Sequence, residues 1–458
     1  MRAAAISVLA WLGLASASFG QCAVPSYNEF FGIPKGYVDS QAFVGKFDYA
    51  PQTAEVPPPF LSIDFTTDWQ AYIWSVLDYA YDGNMTGAGT VEDDFDIAAN
   101  TTRPWYHMIW MHPGPSGREF VHGLTKERGS DPEQLKDGVT RRFQTWAIGY
   151  YNAFGAQTLA KVFADPCQPD AANVLFPVGT VSFKLLFTTA SKTEVPYLDG
   201  SPEWKVDVDR ATEPAGEDPK PPRVMRLLQV DVAVRDSRAT GTGWVFGTFV
   251  YNNGVSDPNP WRRLMPVGLS WGNDPTVVPG GTLHENVVLA SLAGTTHGWA
   301  ERPELGWGGR MNGPADNLIS SCTSCHGTAQ FPRSDDFGNL PPGPVDATDA
   351  VALAERLSTY FRNIAPGQLF DPQTKFFQST VVVDALSTDY SLQLQAALER
   401  FCFSAKQQDP PLTGTVVPLV CDETARISSP MSGMPADEDL KRILLEGIDW
   451  DDYMVPVR

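Results

Sequence analysis

The sequence predicts an α+β protein: an antiparallel β barrel or sandwich with packed helices, followed by a mostly helical, loop-rich C-terminal region. In the middle of the chain, apolar and polar residues alternate in several short runs, the pattern of strands with one buried face. Beyond the middle, apolar residues recur every three or four positions, as on one face of a helix. The 39 glycines and 38 prolines indicate many turns between these elements.

The individual elements follow from the same patterns. The predicted strands cover residues 179–187, 227–234, 244–251 and 265–271, and an acidic, proline-rich loop is expected at 206–222. Residues 137–164 have helical spacing of their apolar side chains, and we expect this helix to pack on the sheet. Three further helices are predicted near the C-terminus, at residues 348–364, 387–403 and 436–446.

The charge of the chain limits its partners. There are 54 acidic and 34 basic residues, a formal net charge of −20. Such a surface repels nucleic acid and anionic lipid, so we expect neither as a partner. A cationic redox partner protein or a neutral small molecule suits this charge better. We also expect no membrane span in the mature chain, since no stretch after the N-terminus is long and apolar enough.

The most informative motif is Cys322-Thr323-Ser324-Cys325-His326. In this spacing two thiols add to the vinyl groups of a haem, and the adjacent histidine becomes the proximal iron ligand. A thioredoxin-like redox pair would not require His326. A zinc knuckle would need a second ligand pair at related spacing, which Cys402 and Cys421 do not provide. The sequence therefore predicts one covalent haem c, containing iron, held by Cys322, Cys325 and His326.

The N-terminus resembles an export signal. Arg2 precedes a short apolar run, and small residues follow at cleavage-compatible spacing. We therefore expect a periplasmic protein with a cleaved signal peptide at 1–20. The remaining domains are predicted as a loop-rich segment at 21–136, a β-rich domain with its packed helix at 137–310, and a cytochrome c-type haem-binding region at 311–458.

Four cysteines lie outside the motif: Cys22, Cys167, Cys402 and Cys421. An even number of cysteines in an exported protein predicts two disulfide bonds, with three alternative connectivities.

The sixth ligand of the iron has several candidates. Met434, and next Met431, lie in a segment similar to the methionine loop of electron-transfer cytochromes c. A methionine near a helix start also serves for packing. His107, His112 and His122 are close in sequence, and could form a metal site or a distal ligand, but aromatic packing is the favoured interpretation because no carboxylate or thiolate lies at ligand spacing.

Residues from about 140 to 330 resemble the lysine-cross-linked haem cytochromes that oxidise hydroxylamine, and the related β-sheet cytochromes c-prime. The resemblance lies in the segments 176–184, 230–236 and 243–246, followed by Cys322 to His326. It implies a haem-binding role for Lys184, which aligns with the cross-linking lysine, and a distal-pocket role for Asp231. Lys184 also shares a strand side with Ser182, which is compatible with a solvent-facing position.

These observations lead to a functional expectation with two alternatives. The leading hypothesis is a periplasmic mono-haem c-type cytochrome that transfers electrons. The second is a haem oxidoreductase with an open distal site that acts on a small molecule, and the third is a gas-binding haem sensor. Fold alone does not choose among them.

Overall fold

The computed structural model describes a large part of the chain. The described residues are 43, 45–49, 56–85, 94–111, 123–206, 223–277, 281–289, 306–318, 320–333, 357–378, 381–407 and 426–427. The predicted signal peptide, the acidic loop after residue 206 and the helix at 436–446 therefore lie outside the described residues. Among the described residues, no helix has the length and apolar character needed to cross a membrane.

The centre of the structure is one antiparallel sheet of eight strands. The strands are β1 (Thr125–Ser130), β2 (Phe143–Tyr151), β3 (Val181–Thr188), β4 (Glu203–Val206), β5 (Arg223–Arg235), β6 (Trp244–Tyr251), β7 (Leu264–Ser270) and β8 (Asn286–Val288). Their hydrogen-bonded order is β1-β2-β3-β5-β6-β7-β8, and β4 pairs with β5. The α+β class and the antiparallel sheet are confirmed, and the four predicted strands correspond to β3, β5, β6 and β7.

The helix predicted at 137–164 is wrong in its first half. Phe143–Tyr151 is strand β2, and the helix α2 covers only Ala153–Val162. Both faces of β2 are covered, so its apolar residues form a nearly continuous run that matches helical spacing as well as strand spacing. Asn152 separates the two elements, because its side chain accepts a hydrogen bond from Gly155 N and so caps α2.

The segment 21–136 is less irregular than predicted. It contributes β1 and the helix α1 (Trp69–Tyr81), which begins where the Asp68 side chain accepts a hydrogen bond from Ala71 N. Helix α1 packs closely on the sheet at Gly247, where an added Cβ would lie 2.7 Å from Ile73 Cδ1. This helix therefore covers one face of β6.

The C-terminal region contains strands that the sequence did not predict. Its described part holds α3 (Cys322–Gly327), a helical stretch at 357–360, α4 (Leu392–Gln407), and short strands. The strands are β9 (Gln330–Phe331), β10 (Lys375–Gln378), β11 (Val381–Asp384), β12 (Leu386–Ser387) and β13 (Arg426–Ile427). They form two small sheets, β11-β10-β13 and β12-β9. The expectation of a mostly helical region is therefore correct for α4 and wrong for these strands.

The main sheet separates two apolar clusters. Phe183 and Leu185 of β3 belong to the first cluster, together with residues of α1. Phe246 of β6 belongs to the second cluster, together with Leu394 of α4. The second face of the sheet is thus covered by the C-terminal region, and the candidate site lies between them.

Candidate functional site

The inner side of α3 anchors this short helix to the protein. Ser321 caps it: its hydroxyl accepts a hydrogen bond from Ser324 N at 3.1 Å, and the Ser324 hydroxyl accepts one from Ser321 N at 2.9 Å. The Thr323 and Ser270 hydroxyls are 2.5 Å apart, which ties α3 to the end of β7. Thr323 and Ser324 are fully buried.

The other side of α3 carries Cys322, Cys325 and His326. Their spacing of three and four residues places them on one helix face. All three are half-buried, whereas Thr323 and Ser324 between them have almost no exposed surface. Neither thiol is in a disulfide bond. Burial raises the pKa of Cys325 to about 12 and that of Cys322 well above its ordinary value, so both thiols are protonated at neutral pH.

His326 is oriented by a backbone carbonyl. Its Nδ1 lies 2.9 Å from the carbonyl oxygen of Tyr390, so Nδ1–H donates and Nε2 carries the lone pair. Burial lowers the pKa of His326 to about 4, against the opposing effect of the Tyr390 carbonyl. The imidazole is therefore neutral at pH 7, with one nitrogen in the form that binds a metal.

The turn that presents the Tyr390 carbonyl has an uncommon backbone. Asp389 and Tyr390 have φ values of 48° and 66°, both in the left-handed region that non-glycine residues seldom adopt. The turn is held because the Asp389 carboxylate accepts hydrogen bonds from Phe176 N at 2.8 Å and Gly367 N at 3.1 Å. The Tyr390 hydroxyl also donates to Ile364 O at 2.7 Å. Strain held this firmly is typical of functional positions.

Lys184 and Asp231 lie side by side on the sheet face that α3 covers. They are directly paired in the β3–β5 register, and Lys184 Nζ is 3.3 Å from Asp231 Oδ2. Asp231 Oδ1 also accepts hydrogen bonds from Gln229 Nε2 at 2.7 Å and Thr248 Oγ1 at 2.9 Å. The charge of Lys184 acts on both thiols and on His326. The side chain of Lys184 is 29% exposed, so it contacts the paired carboxylate and solvent together.

Asp316 joins the loop before α3 to this face of the sheet. Its Oδ2 accepts hydrogen bonds from Gln229 Nε2 at 3.1 Å and from Gly313 N at 3.0 Å. The loop approaches so closely that a Cβ on Gly313 would lie 2.1 Å from Gln229 Nε2. Gln229 thus contacts Asp231 and Asp316 together, and fixes the loop relative to the Lys184–Asp231 pair.

Three carboxylates act on Lys184, and this excess of negative charge sets the protonation states of the cluster. Burial lowers the pKa of Lys184, but Glu127, Asp231 and Asp316 outweigh it and raise the pKa overall, so the ammonium form is kept. Burial raises the pKa of Asp231 to about 6, with a further contribution from Asp316 that opposes the attraction of Lys184. Arg128, which lies on β1, interacts favourably with the negative charge of Asp316. The net effect at Asp231 is a raised pKa, which favours its protonated form.

Of the remaining predicted iron or metal ligands, His107 is the one within the described residues. His107 is buried in aromatic packing, with its ring 5.6 Å from Phe47 and 5.9 Å from Tyr150. Tyr150 packs on Phe183, on the face opposite Lys184. Within the described ranges, no group of three or more histidine, cysteine or acidic residues could hold a metal ion.

The other predicted ligands and the cysteines outside the motif are either beyond the described ranges or disulfide-bonded. His112, His122, Met431, Met434, Cys22 and Cys421 lie outside the described residues. Cys167 and Cys402 are each disulfide-bonded.

Several residues of the site had no signal in the sequence. They are ordinary polar or aromatic residues that lie far from the motif or without a recognised spacing to it: Glu127, Gln229, Asp316 and Tyr390. Asp316, six residues before Cys322, was the one that proximity in sequence could have suggested.

Comparison with known proteins returns no match: no family profile, no curated protein and no solved structure is similar to this chain. The chemistry of the site therefore has to be argued from its own residues.

The raised pKa of Asp231 predicts a pH-dependent stability. Between 3.8 and about 6 the folded protein binds a proton at Asp231 that the unfolded chain has released. The contribution of Asp231 to the free energy of unfolding should therefore fall as the pH rises through this interval, whereas His326, whose pKa is lowered to about 4, contributes with the opposite sign. Urea unfolding at several pH values measures the summed slope, which should become more positive in Asp231→Asn because only the Asp231 contribution is removed.

Asp137→Asn, which changes an exposed carboxylate, is the matched control and should keep the wild-type slope. Equal slopes in Asp231→Asn and wild type would show that Asp231 titrates normally.

Proposed function

We propose that this protein is an exported c-type cytochrome that holds one haem through thioether bonds to Cys322 and Cys325 and transfers electrons. His326 is the proximal ligand of the haem iron. The observation that carries the proposal is the arrangement on α3: the three side chains share its accessible side, while the residues between them are buried. The haem, when bound, supplies one-electron redox chemistry at its iron.

The orientation of His326 supports this assignment. A histidine that ligates iron usually donates its other ring N–H to a carbonyl or carboxylate, which fixes the ring and makes the ligating nitrogen more basic. The Tyr390 carbonyl has this role at 2.9 Å from Nδ1. Since the carbonyl is held by a constrained turn, the imidazole plane is set before the cofactor binds.

The other functions of a Cys-x-x-Cys pair fit less well. A dithiol that exchanges disulfides needs a thiolate with a depressed pKa, and burial raises the pKa of both Cys322 and Cys325. A structural zinc site needs four ligands, and the described residues include no such group.

A haem oxidoreductase that acts on a small molecule is the second candidate. The polar cluster formed by Lys184, Asp231 and Asp316 favours it, since these charges act on the thiols of the haem motif. With a pKa of about 6, Asp231 is suited to exchange protons near neutral pH. A gas-binding sensor would use the same open side of the iron without turnover.

Export to the periplasm belongs to the same proposal. The haem c attachment expected here takes place outside the cytoplasm, and the predicted signal peptide at 1–20 would direct the chain there. The disulfide bonds of Cys167 and Cys402 suit an oxidising compartment.

Covalent attachment is tested by removing the thiols. In a host that matures c-type cytochromes, acid-acetone should leave the haem on the wild type and extract it from the double variant Cys322→Ala/Cys325→Ala. The physical reason is that only thioether bonds survive this treatment. Ser256→Ala, at an exposed position, is the control for handling losses. Haem that stays bound in the double variant would disprove the assignment.

The sixth ligand separates electron transfer from the second candidate. We expect Met434 to ligate the iron, so Met434→Ala should abolish the weak near-infrared sulfur-to-iron band and lower the reduction potential. Met431→Ala is the matched control and should keep the band. A reduced wild-type spectrum that is high-spin and shifts with CO would instead favour the oxidoreductase or the sensor.

We predict that Lys184 is not cross-linked to the haem. Attack on the haem edge needs the neutral amine, and the ion pair with Asp231 at 3.3 Å keeps the ammonium. Tryptic mapping with intact mass measurement should give one haem peptide, which contains Cys322 to His326. A haem-bearing peptide that also contains Lys184 would contradict this prediction and favour the oxidoreductase.

A further inference from the structure

Two apolar side chains are exposed beside a buried aromatic ring. Leu175 is 51% exposed and Val178 is 44% exposed, while Phe176 between them is 1% exposed. These residues form a surface segment, 175–178, just before β3. Single exposed apolar side chains are common on soluble proteins, so the interest of this segment lies in the buried aromatic contacts beneath it.

Aromatic rings connect this segment to His326. The Phe176 ring lies 5.7 Å from that of Trp244, and Trp244 lies 6.3 Å from Phe246. The Phe246 ring lies 4.8 Å from the imidazole of His326. All these distances are between ring centroids. A continuous series of π systems thus extends from the surface to the candidate iron ligand.

A second connection reaches Phe176 through hydrogen bonds. The Tyr151 ring stacks on Phe176 at 5.3 Å with an interplanar angle of 7°. The Tyr151 hydroxyl is 2.6 Å from Ser391 Oγ, and Ser391 follows Tyr390, whose carbonyl accepts from His326. Two independent routes from His326 therefore converge on Phe176.

We propose that segment 175–178 is the docking site of a small, positively charged one-electron carrier protein, and that Phe176 is the point of electron exit. This inference rests on the proposed electron-transfer function. The carrier gains one electron and the reduced iron loses one; no bond forms or breaks, and no proton moves. Since electron tunnelling weakens steeply with distance, a carrier seated here uses the packed aromatic series that leads to His326.

The charge of the surface identifies the kind of partner. The loop that leads into the segment exposes Asp165 and Asp170, and the whole chain has a net charge of −20. Such a field attracts cations and speeds their encounter with the protein. A small apolar centre with an acidic surround fits transient electron-transfer complexes, whose interfaces are below roughly 1,200 Å².

The test uses the haem-loaded protein and a basic mono-haem cytochrome c as the probe. Leu175→Lys and Val178→Lys each place a positive charge in the segment, and Ser256→Lys adds the same charge beyond the opposite end of β6. Calorimetry with both proteins oxidised measures binding at low ionic strength. We expect Kd to rise about tenfold in the two segment variants, a change of roughly 1.4 kcal/mol, and to stay near the wild-type value in Ser256→Lys.

Phe176→Leu tests the electron route separately from docking. Stopped-flow oxidation of the reduced protein at saturating probe should be several-fold slower in this variant, because the rate within the complex then no longer depends on Kd. An unchanged rate would overturn the role of Phe176. Equal Kd values in wild type and both segment variants, or no binding of the probe by the wild type, would overturn the docking site.

Failure of the proposed function would be recognised independently. In that case the wild type would lack covalent haem or would not be reduced and oxidised reversibly in the absence of the probe. If haem content and optical spectrum are normal in all variants and only docking fails, the inference alone is wrong.

Discussion

The site depends on one hydrogen bond, from His326 Nδ1 to the carbonyl of Tyr390. It joins α3 to a turn that lies 64 residues later in the chain. The turn keeps left-handed φ values at two non-glycine residues because the Asp389 carboxylate binds the backbone of Phe176 and Gly367. The position of a histidine ring is therefore decided jointly by the sheet, the segment before β3 and the region before α4.

The covered face of the sheet changes in polarity along its strands. In the β5–β6 register, Ala233 is opposite Phe246 and Asp231 is opposite Thr248. One end of this face is therefore apolar and aromatic, and the other end is polar and charged. His326 packs on Phe246, while Lys184 acts electrostatically on the same motif. This arrangement places an aromatic series on one side of His326 and a charged cluster on the other.

The protonation states of Lys184 and Asp231, in the polar part of this face, depend on burial as much as on their ion pair. A lone Lys184–Asp231 pair would favour both ionised forms. Here Asp316 approaches the same pair through Gln229, and burial penalises every charge. The lysine keeps its proton because three carboxylates favour the ammonium, while burial and Asp316 favour the protonated form of Asp231.

The sequence by itself determined the features that depend only on residues close together in the chain. Two such local patterns are the spacing of Cys322, Cys325 and His326 and the apolar alternation in four strands. The structure places the three motif residues on one helix face, and it places β3, β5, β6 and β7 in one sheet. The tertiary structure decided whether residues 143–151 form a strand, since a segment buried on both faces has no distinctive period. It also decided that Lys184 pairs with Asp231 beside α3, and that Asp316 and Tyr390 belong to the site. These outcomes depend on contacts between distant parts of the chain, which no local pattern records.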